Sequence, residues 1–509
     1  MKRTPSILAL LLICLSTSRA MADERYFALA VGYNGRPPVG GDGTSSPLRY
    51  ADDDALSFYE LEKEAGSDVV VLTVPDGDTR RRYPWAVEVA QPPTMNEIEK
   101  AVSDLNRRMD AATRAGHVPV FLFFYSGHGS RPQNAEPAFA LLDGALSQSA
   151  LHERVLDRIH AQIVHLIIDA CHADAVVRPR DVDAKTVDVT QAELMAQLSA
   201  ATSTRYPNVG LVLASDAGNT THEWDLYQSG VFTHEVISGL RGAADINHDG
   251  RVEYSELGAF LTAANREILD SRARMQTIVQ APVSQGRAAL IELDAHASIG
   301  WLTDIPSSAG QFFVEDQQGN RIVDGHAEFG FSMSVAIPPG RLLFVHDGER
   351  EAELLVPRGL RRRFDTLAFH RRPLQTRGAM ESALENGLFL MPYGPSYYSG
   401  YVDSRDVVGV VPASPVEGSA ADVTVSDPGR PRKAILIWSL RGASGALLGS
   451  SLVFAGLAWS ARSDFEASST QVAAADANER FTRDSTLALT FLVPAVVCAG
   501  LSYLVDVHR

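Results

Sequence analysis

Two apolar, β-branched runs constrain this chain more than any other feature. Ile163-Val164-His165-Leu166-Ile167-Ile168 ends in Asp169-Ala170-Cys171-His172, and Val118-Pro119-Val120-Phe121-Leu122-Phe123-Phe124 ends in Tyr125-Ser126-Gly127-His128-Gly129-Ser130. Apolar runs of this length, rich in β-branched and aromatic residues, read as buried strands, and open α/β sheets place ligands just beyond the carboxyl ends of such strands. One sheet edge is therefore expected to carry both His128 and Cys171. A thiolate that attacks a peptide carbonyl and an imidazole that protonates the departing amine are the two groups a cysteine peptidase requires. The oxyanion formed in that attack needs N–H donors. Gly129, whose backbone can approach closely, and Cys171 itself are the candidates.

The flanking sequence alternates strand and helix from residue 26 to about 293. Residues 26–31 and 69–74 are predicted strands separated by an amphipathic helix over 54–65. Thr94-Met95-Asn96-Glu97 is a capping box opening a helix to about residue 115. A helix around 151–160 and a strand at 209–214 complete the pattern, which implies an α/β unit with a mostly parallel sheet and helices on both faces. Between Asp174 and Pro207 lies a polar insertion carrying Arg178, Arg180, Lys185 and Arg205, with a second capping box at Thr190-Gln191-Ala192-Glu193.

Tyr125-Ser126-Gly127-His128-Gly129 and Asp169-Ala170-Cys171-His172 resemble the two catalytic motifs of the caspase/metacaspase superfamily, in its bacterial metacaspase-like branch. Tyr26-Phe27-Ala28-Leu29-Ala30-Val31-Gly32, followed by Leu48-Arg49-Tyr50-Ala51-Asp52-Asp53-Asp54-Ala55, resembles the opening strand and helix of that domain. Gly230-Val231-Phe232-Thr233-His234 resembles a late segment of bacterial members. The resemblance spans roughly residues 24–294 and implies a caspase-like fold. It also implies an acidic first pocket in which Asp169 faces a basic substrate residue. True caspases carry Gln at this motif position and cleave after aspartate; a carboxylate there repels acid and pairs with Arg or Lys. Asp216 or Glu223 is the candidate second acidic wall, and Asp169 acting instead as a structural anchor is the competing reading. His172 is followed by Ala173-Asp174 where the family commonly has Ser-Gly, a departure that bears on pocket shape. The insertion corresponds to a connection that is a processing site in caspase-like enzymes, so its basic residues become candidate self-cleavage points.

Asp245-Ile246-Asn247-His248-Asp249-Gly250-Arg251-Val252-Glu253-Tyr254-Ser255-Glu256 fits a twelve-position calcium loop of the EF-hand type. Asp245, Asn247, Asp249, Glu253 and Glu256 supply side-chain oxygens at positions 1, 3, 5, 9 and 12. Gly250 makes the turn and Arg251 offers its carbonyl. The expected metal is Ca2+, and no organic cofactor is expected.

From about residue 310 to 356 the period changes to two, with strands expected at 312–314, 328–337, 341–346 and 351–356. These form a small antiparallel β-domain over 300–374, serving as a spacer or binding module. Arg361-Arg362-Arg363 and His370-Arg371-Arg372 read as a solvated face.

The termini concern membranes. Lys2 and Arg3, an apolar core from 7 to 15 and small residues through Ala22 form a secretory signal over 1–22. Segments 442–461 and 485–504 are each apolar enough to span a bilayer, with a juxtamembrane segment at 375–441. Arg430, Arg432, Lys433 and Arg441 precede the first span on the side the signal would export, so flanking charge and signal disagree on orientation. The signal takes precedence, which puts the catalytic domain outside the cytoplasm. A formal net charge of −16 argues against nucleic acid as a partner. Of the three cysteines, Cys14 and Cys498 lie in the apolar terminal segments, leaving Cys171 without an intramolecular disulfide partner.

The combined expectation is an exported, membrane-anchored cysteine endopeptidase cleaving protein or peptide substrates after Arg or Lys, calcium-modulated and self-processing. The competing class is a catalytically silent caspase-like receptor that binds a partner through its β-domain. A serine hydrolase is disfavoured because no Gly-x-Ser-x-Gly elbow stands at a strand end.

Overall fold

The computed structural model describes residues 23–36, 46–131, 136–177, 204–215, 223–268, 275–293, 298–371 and 387–408. Residues up to Pro415 and those from Val416 onward form two units, and every described residue lies in the first. The signal-like segment, both expected membrane spans, Asp216 and the insertion from 178 to 203 lie outside the described residues. Among the described residues no helix is long and apolar enough to cross a membrane.

A six-stranded sheet forms the centre. Strands β1 (Glu24–Tyr33), β2 (Asp68–Leu72), β3 (Val118–Gly127), β4 (Ile163–Asp169) and β5 (Val209–Ser215) run parallel, and β6 (Gln276–Gln280) closes one edge antiparallel. The spatial order is β6-β5-β4-β3-β1-β2. Side chains of β3 alternate between two cores: Val120, Leu122 and Phe124 enter one, Phe121, Phe123 and Tyr125 the other. A strand covered on both faces has no solvated side, which is why this run reads as continuously apolar rather than alternating.

The helices follow their caps and stripes. Helix α1 (Ala51–Glu64) joins β1 to β2. Helix α2 (Met95–Arg114) starts where Thr94 Oγ1 accepts the Glu97 amide at 3.2 Å. It buries Ile98, Ala101, Val102, Leu105, Met109 and Ala112, one stripe at helical spacing. Helices α3 (Val231–Ser238) and α4 (Tyr254–Asn265) are buried through most of their length. The helix expected around 151–160 is instead two short helical turns, Gln148–Ala150 and Leu151–Leu156, ending earlier.

The β-region holds more strands than its periodicity indicates. They are β7 (Gly300–Pro306), β8 (Gln311–Asp316), β9 (Arg321–His326), β10 (Ser332–Ile337), β11 (Leu342–Asp347), β12 (Arg350–Leu355), β13 (Arg361–Arg363) and β14 (His370–Arg371). They form two sheets, ordered β10-β7-β13 and β9-β8-β11-β12-β14. Pairing is antiparallel except between β7 and β13. The strand expected from residue 328 begins only at Ser332, because the Phe331 amide closes a turn on the Glu328 carbonyl with Gly330 at φ 81°.

This β-region is not a spacer. Leu302, Val335 and Ile337 share one core with Val236 and Leu240 of the α/β unit. His234 on α3 meets Asp324 on β9 at 2.8 Å, both buried. Part of the segment read as juxtamembrane also belongs to this folded unit. The Phe389 amide bonds to the Ala264 carbonyl at 3.0 Å, and Tyr393 Oη donates to the Ala244 and Glu256 carbonyls.

Candidate active site

Strands β3 and β4 pair with Ser126 opposite Asp169, an offset of 43 residues. His128 and Cys171 have the same offset and stand two residues beyond this pair, just past the ends of β3 and β4. Gly129 lets the two ends approach closely: a Cβ there would overlap the carbonyl oxygen of Cys171. Cys171 is half-buried and forms no disulfide. The next residue, His172, sits at φ 56°, a left-handed turn that a side chain other than glycine enters at some cost.

The imidazole of His128 is oriented by main chain. Its Nε2 lies 2.9 Å from the Ser46 carbonyl oxygen. A carbonyl only accepts, so Nε2 carries the proton and Nδ1 keeps its lone pair. Burial lowers the pKa of His128, and the bond to Ser46 restores part of it. The loop bearing Ser46 is anchored in turn: Glu223 accepts the Arg49 amide at 2.8 Å and the Tyr50 amide at 2.7 Å. Glu223, a candidate pocket wall, is thereby committed to positioning this loop. Its charge still makes ionising Asp169 harder.

Asp169 is buried beneath the site and faces a second carboxylate that sequence reasoning left without a role. Thr233, in the first turn of α3, donates to Asp169 Oδ2 from its hydroxyl at 2.7 Å and its amide at 3.2 Å. Asp54 on α1 accepts from Ser126 Oγ at 2.7 Å, Ser229 Oγ at 2.5 Å and the Gly230 amide at 3.0 Å. Gly230 lies against both acids, and a Cβ there would run into Asp169 Oδ2. Burial raises the pKa of both carboxyls, and the charge of Asp169 raises that of Asp54 further. Two buried carboxylates this close disfavour joint ionisation unless a cation joins them. In the sequence, Asp54 looks like one of three acids in a helix's first turn, an ordinary companion of the helix dipole. Ser126 likewise looks like part of a histidine motif. Only the fold brings the two together.

The loop from Asp245 to Glu256 has a self-supporting hydrogen-bond frame. Asp245 Oδ2 accepts the Gly250 amide at 2.9 Å, Asn247 Oδ1 the Asp249 amide at 2.8 Å, and Asp249 Oδ1 the Arg251 amide at 2.9 Å. Glu253 and Glu256 form a reciprocal cap at the start of α4. Asp245 Oδ1 is buried with no hydrogen-bond partner, and burial, with Asp245 and Asp249 nearby, pushes Glu256 up to about 7. This orphaned buried oxygen is the one feature of the loop that could take a cation. The Arg251 side chain points away, to Glu24 and Glu292, consistent with only its carbonyl serving the loop.

The fold and this site define a caspase-type domain. The chain belongs to the caspase family: the family model for the caspase domain, Peptidase C14, matches residues 25–285. Among solved structures, a Geobacter sulfurreducens protein is 16% identical, with a TM-score of 0.31 over 53% of this chain and 99% of that one. Pro-sf-caspase-1 is 9% identical, with a TM-score of 0.28 over 52% of this chain and 92% of its own. No curated protein matches the chain.

Proposed function

We propose that this chain is a cysteine endopeptidase that cleaves proteins after Arg or Lys, with Cys171 as nucleophile and His128 as its acid–base partner. The observation that carries the reading is the pairing of Asp54 and Asp169 around Gly230, beneath a strand-end His128 and Cys171. A guanidinium or ammonium entering there offsets the repulsion between the two acids. His128 Nδ1 takes the thiol proton. The thiolate then adds to the scissile carbonyl, and the amides of Gly129 and Cys171 receive the oxyanion. Collapse of the adduct breaks the C–N bond, His128 returns the proton to the leaving amine, and water hydrolyses the thioester.

Calcium is part of the proposal. Asp245, Asn247, Asp249, the Arg251 carbonyl and Glu256 would hold it, and it would neutralise their mutual repulsion. The loop feeds α4, whose Asn265 donates to Glu235 of α3 at 2.7 Å, and α3 carries Thr233 to Asp169. Ordering the loop therefore supports the pocket through two packed helices. If chelating calcium moves neither melting temperature nor turnover, this coupling is wrong.

Self-processing at Arg178, Arg180 or Lys185 belongs to the same reading. Arg205 is a poorer candidate because Asp157 holds it at 3.2 Å. Wild type and Cys171→Ala remaining equally intact after purification with calcium would exclude self-processing. Export by the N-terminal segment and anchoring through 442–461 and 485–504 complete the proposal.

The test of the activity is the purified full chain on fluorogenic peptides ending in Arg, Lys or Asp, with Cys171→Ala as control. Cleavage after Arg or Lys that disappears in the variant supports the reading. Cleavage after Asp overturns the pocket argument, and silence from a folded, calcium-loaded sample favours the receptor.

A further inference from the structure

We propose that the partly exposed face of the five-stranded sheet holds a second metal site, suited to a divalent cation of the zinc class. His346 on β11 is in register with Glu351 on β12, and Glu351 with His370 on β14. On the other side His346 opposes Phe313 of β8, and Glu315 lies two residues along that strand. Strand side chains alternate between faces, so Glu315, His346, Glu351 and His370 all project from one face. None of them takes part in the proposed cleavage.

The distances fit coordination. His346 Nε2 lies 2.9 Å from Glu315 Oε1 and 3.5 Å from Glu351 Oε2, and His370 Nε2 lies 3.4 Å from Glu351 Oε1. One ligand atom each from Glu315, His346 and Glu351 falls within 4.8 Å of the other two. A tetrahedral ion with bonds of about 2.1 Å separates its ligand atoms by about 3.4 Å. The His346–Glu351 separation already matches, and the His346–Glu315 one needs to open by about half an ångström.

The setting is built rather than incidental. The His346 side chain is only 3% exposed, and the two glutamates are 17% and 18% exposed. Phe313 stacks on the His346 ring at 4.3 Å and 12°, fixing the imidazole plane. Neighbouring arginines are engaged elsewhere: Arg350 with Asp347, and Arg371 with Glu349. A buried imidazole between two carboxylates is satisfied by a proton or by a metal ion. His370 reaches Glu351 but stands outside this three-residue cluster, whose one nitrogen and two carboxylates leave a fourth position to water. Such a set suits zinc and its neighbours, whereas calcium takes six to eight oxygens. A bound ion would tie β8, β11 and β12 together in the sheet that also carries Asp324.

The experiment uses the full chain carrying Cys171→Ala and Asp245→Asn, which removes the thiol and cripples the calcium loop. After chelation and desalting it is titrated with Co2+, read by the visible absorption of tetrahedral cobalt, and then with Zn2+ in competition. One saturable equivalent, displaced by zinc and weakened at least tenfold by Glu351→Gln and by Glu315→Gln, is the expected result. Zinc should also raise the melting temperature of the parent and not of Glu315→Gln. Failure to detect saturable binding, or binding that both substitutions leave intact, overturns the site. Should Glu351→Gln fail to fold, Glu315→Gln decides, because it keeps the shape of a side chain that is partly exposed.

Discussion

Ser46 orients His128 through its backbone oxygen, 2.9 Å from Nε2, so no side chain at position 46 is needed for the contact. Ser46→Ala should leave turnover nearly unchanged. Glu223→Ala frees the Arg49 and Tyr50 amides that anchor the same loop. A misplaced base costs roughly a hundredfold in rate. Glu223→Ala should therefore lower kcat on an Arg peptide by about one to two orders of magnitude. Steady-state kinetics on both variants is the check, and equal activity would remove the loop from the mechanism.

Asp54→Asn keeps a carbonyl oxygen for Ser126 and Gly230 but removes one of the two buried charges. Truncating one partner of a desolvated charge pair costs about 2–5 kcal/mol. For an Arg peptide kcat/KM should accordingly fall at least about thirtyfold, mostly through KM. An uncharged analogue should lose much less. A uniform loss across both peptides would mean that Asp54 is only a fold determinant.

Glu62 provides a pH signature separate from catalysis. Burial pushes its carboxyl up to about 7 from an ordinary 4.5, against a hydrogen bond from Ser67 Oγ at 2.6 Å. Below 4.5 both folded and unfolded chains hold the proton. Between 4.5 and 7 the unfolded chain releases it while the folded chain retains it. Stability therefore falls as pH rises through this window, by roughly 3 kcal/mol in total. Glu62→Gln should remove this contribution and leave a shallower decline, as measured by denaturant unfolding from pH 4.5 to 8. Parallel pH profiles for variant and wild type would contradict it.

Asp324 holds His234 at 2.8 Å and also pairs with Arg321 at 2.5 Å, all in buried or nearly buried positions. Asp324→Ala leaves two basic groups without their acid and should destabilise the protein by about 3–5 kcal/mol. Because α3 also carries Thr233, KM for basic peptides should rise in the same variant. A melting curve with peptide kinetics tests both effects, and normal stability would show the contact to be dispensable.

The sheet and the strand ends that carry His128 and Cys171 were legible because they rest on local signals. The two apolar runs carry their length and composition openly, and the helix from Met95 announces itself through Thr94 and Glu97. The register was implicit in the 43-residue spacing of His128 and Cys171. Asp169 stands out from its motif, but its meeting with Asp54 and Ser126 was not legible, because the three are separated by whole elements and the other two have ordinary local explanations. Glu223 reads in the sequence only as a candidate wall, whereas the fold also has it accept the Arg49 and Tyr50 amides while its charge acts on Asp169. The β-region was underread because β13 and β14 are too short to show a period, and charged residues dominate them.

The buried meeting of His234 and Asp324 has a consequence for ancestry. A genetic crossover between residues 294 and 298 would graft a new C-terminal partner onto an old catalytic half. Unless the newcomer brought an acceptor to the same point, an enclosed imidazole would lose its hydrogen-bond partner, a cost of about 1–3 kcal/mol against a typical domain's margin of about 5–15. The two halves are thus expected to descend together, diverging in step rather than being exchanged like separate modules.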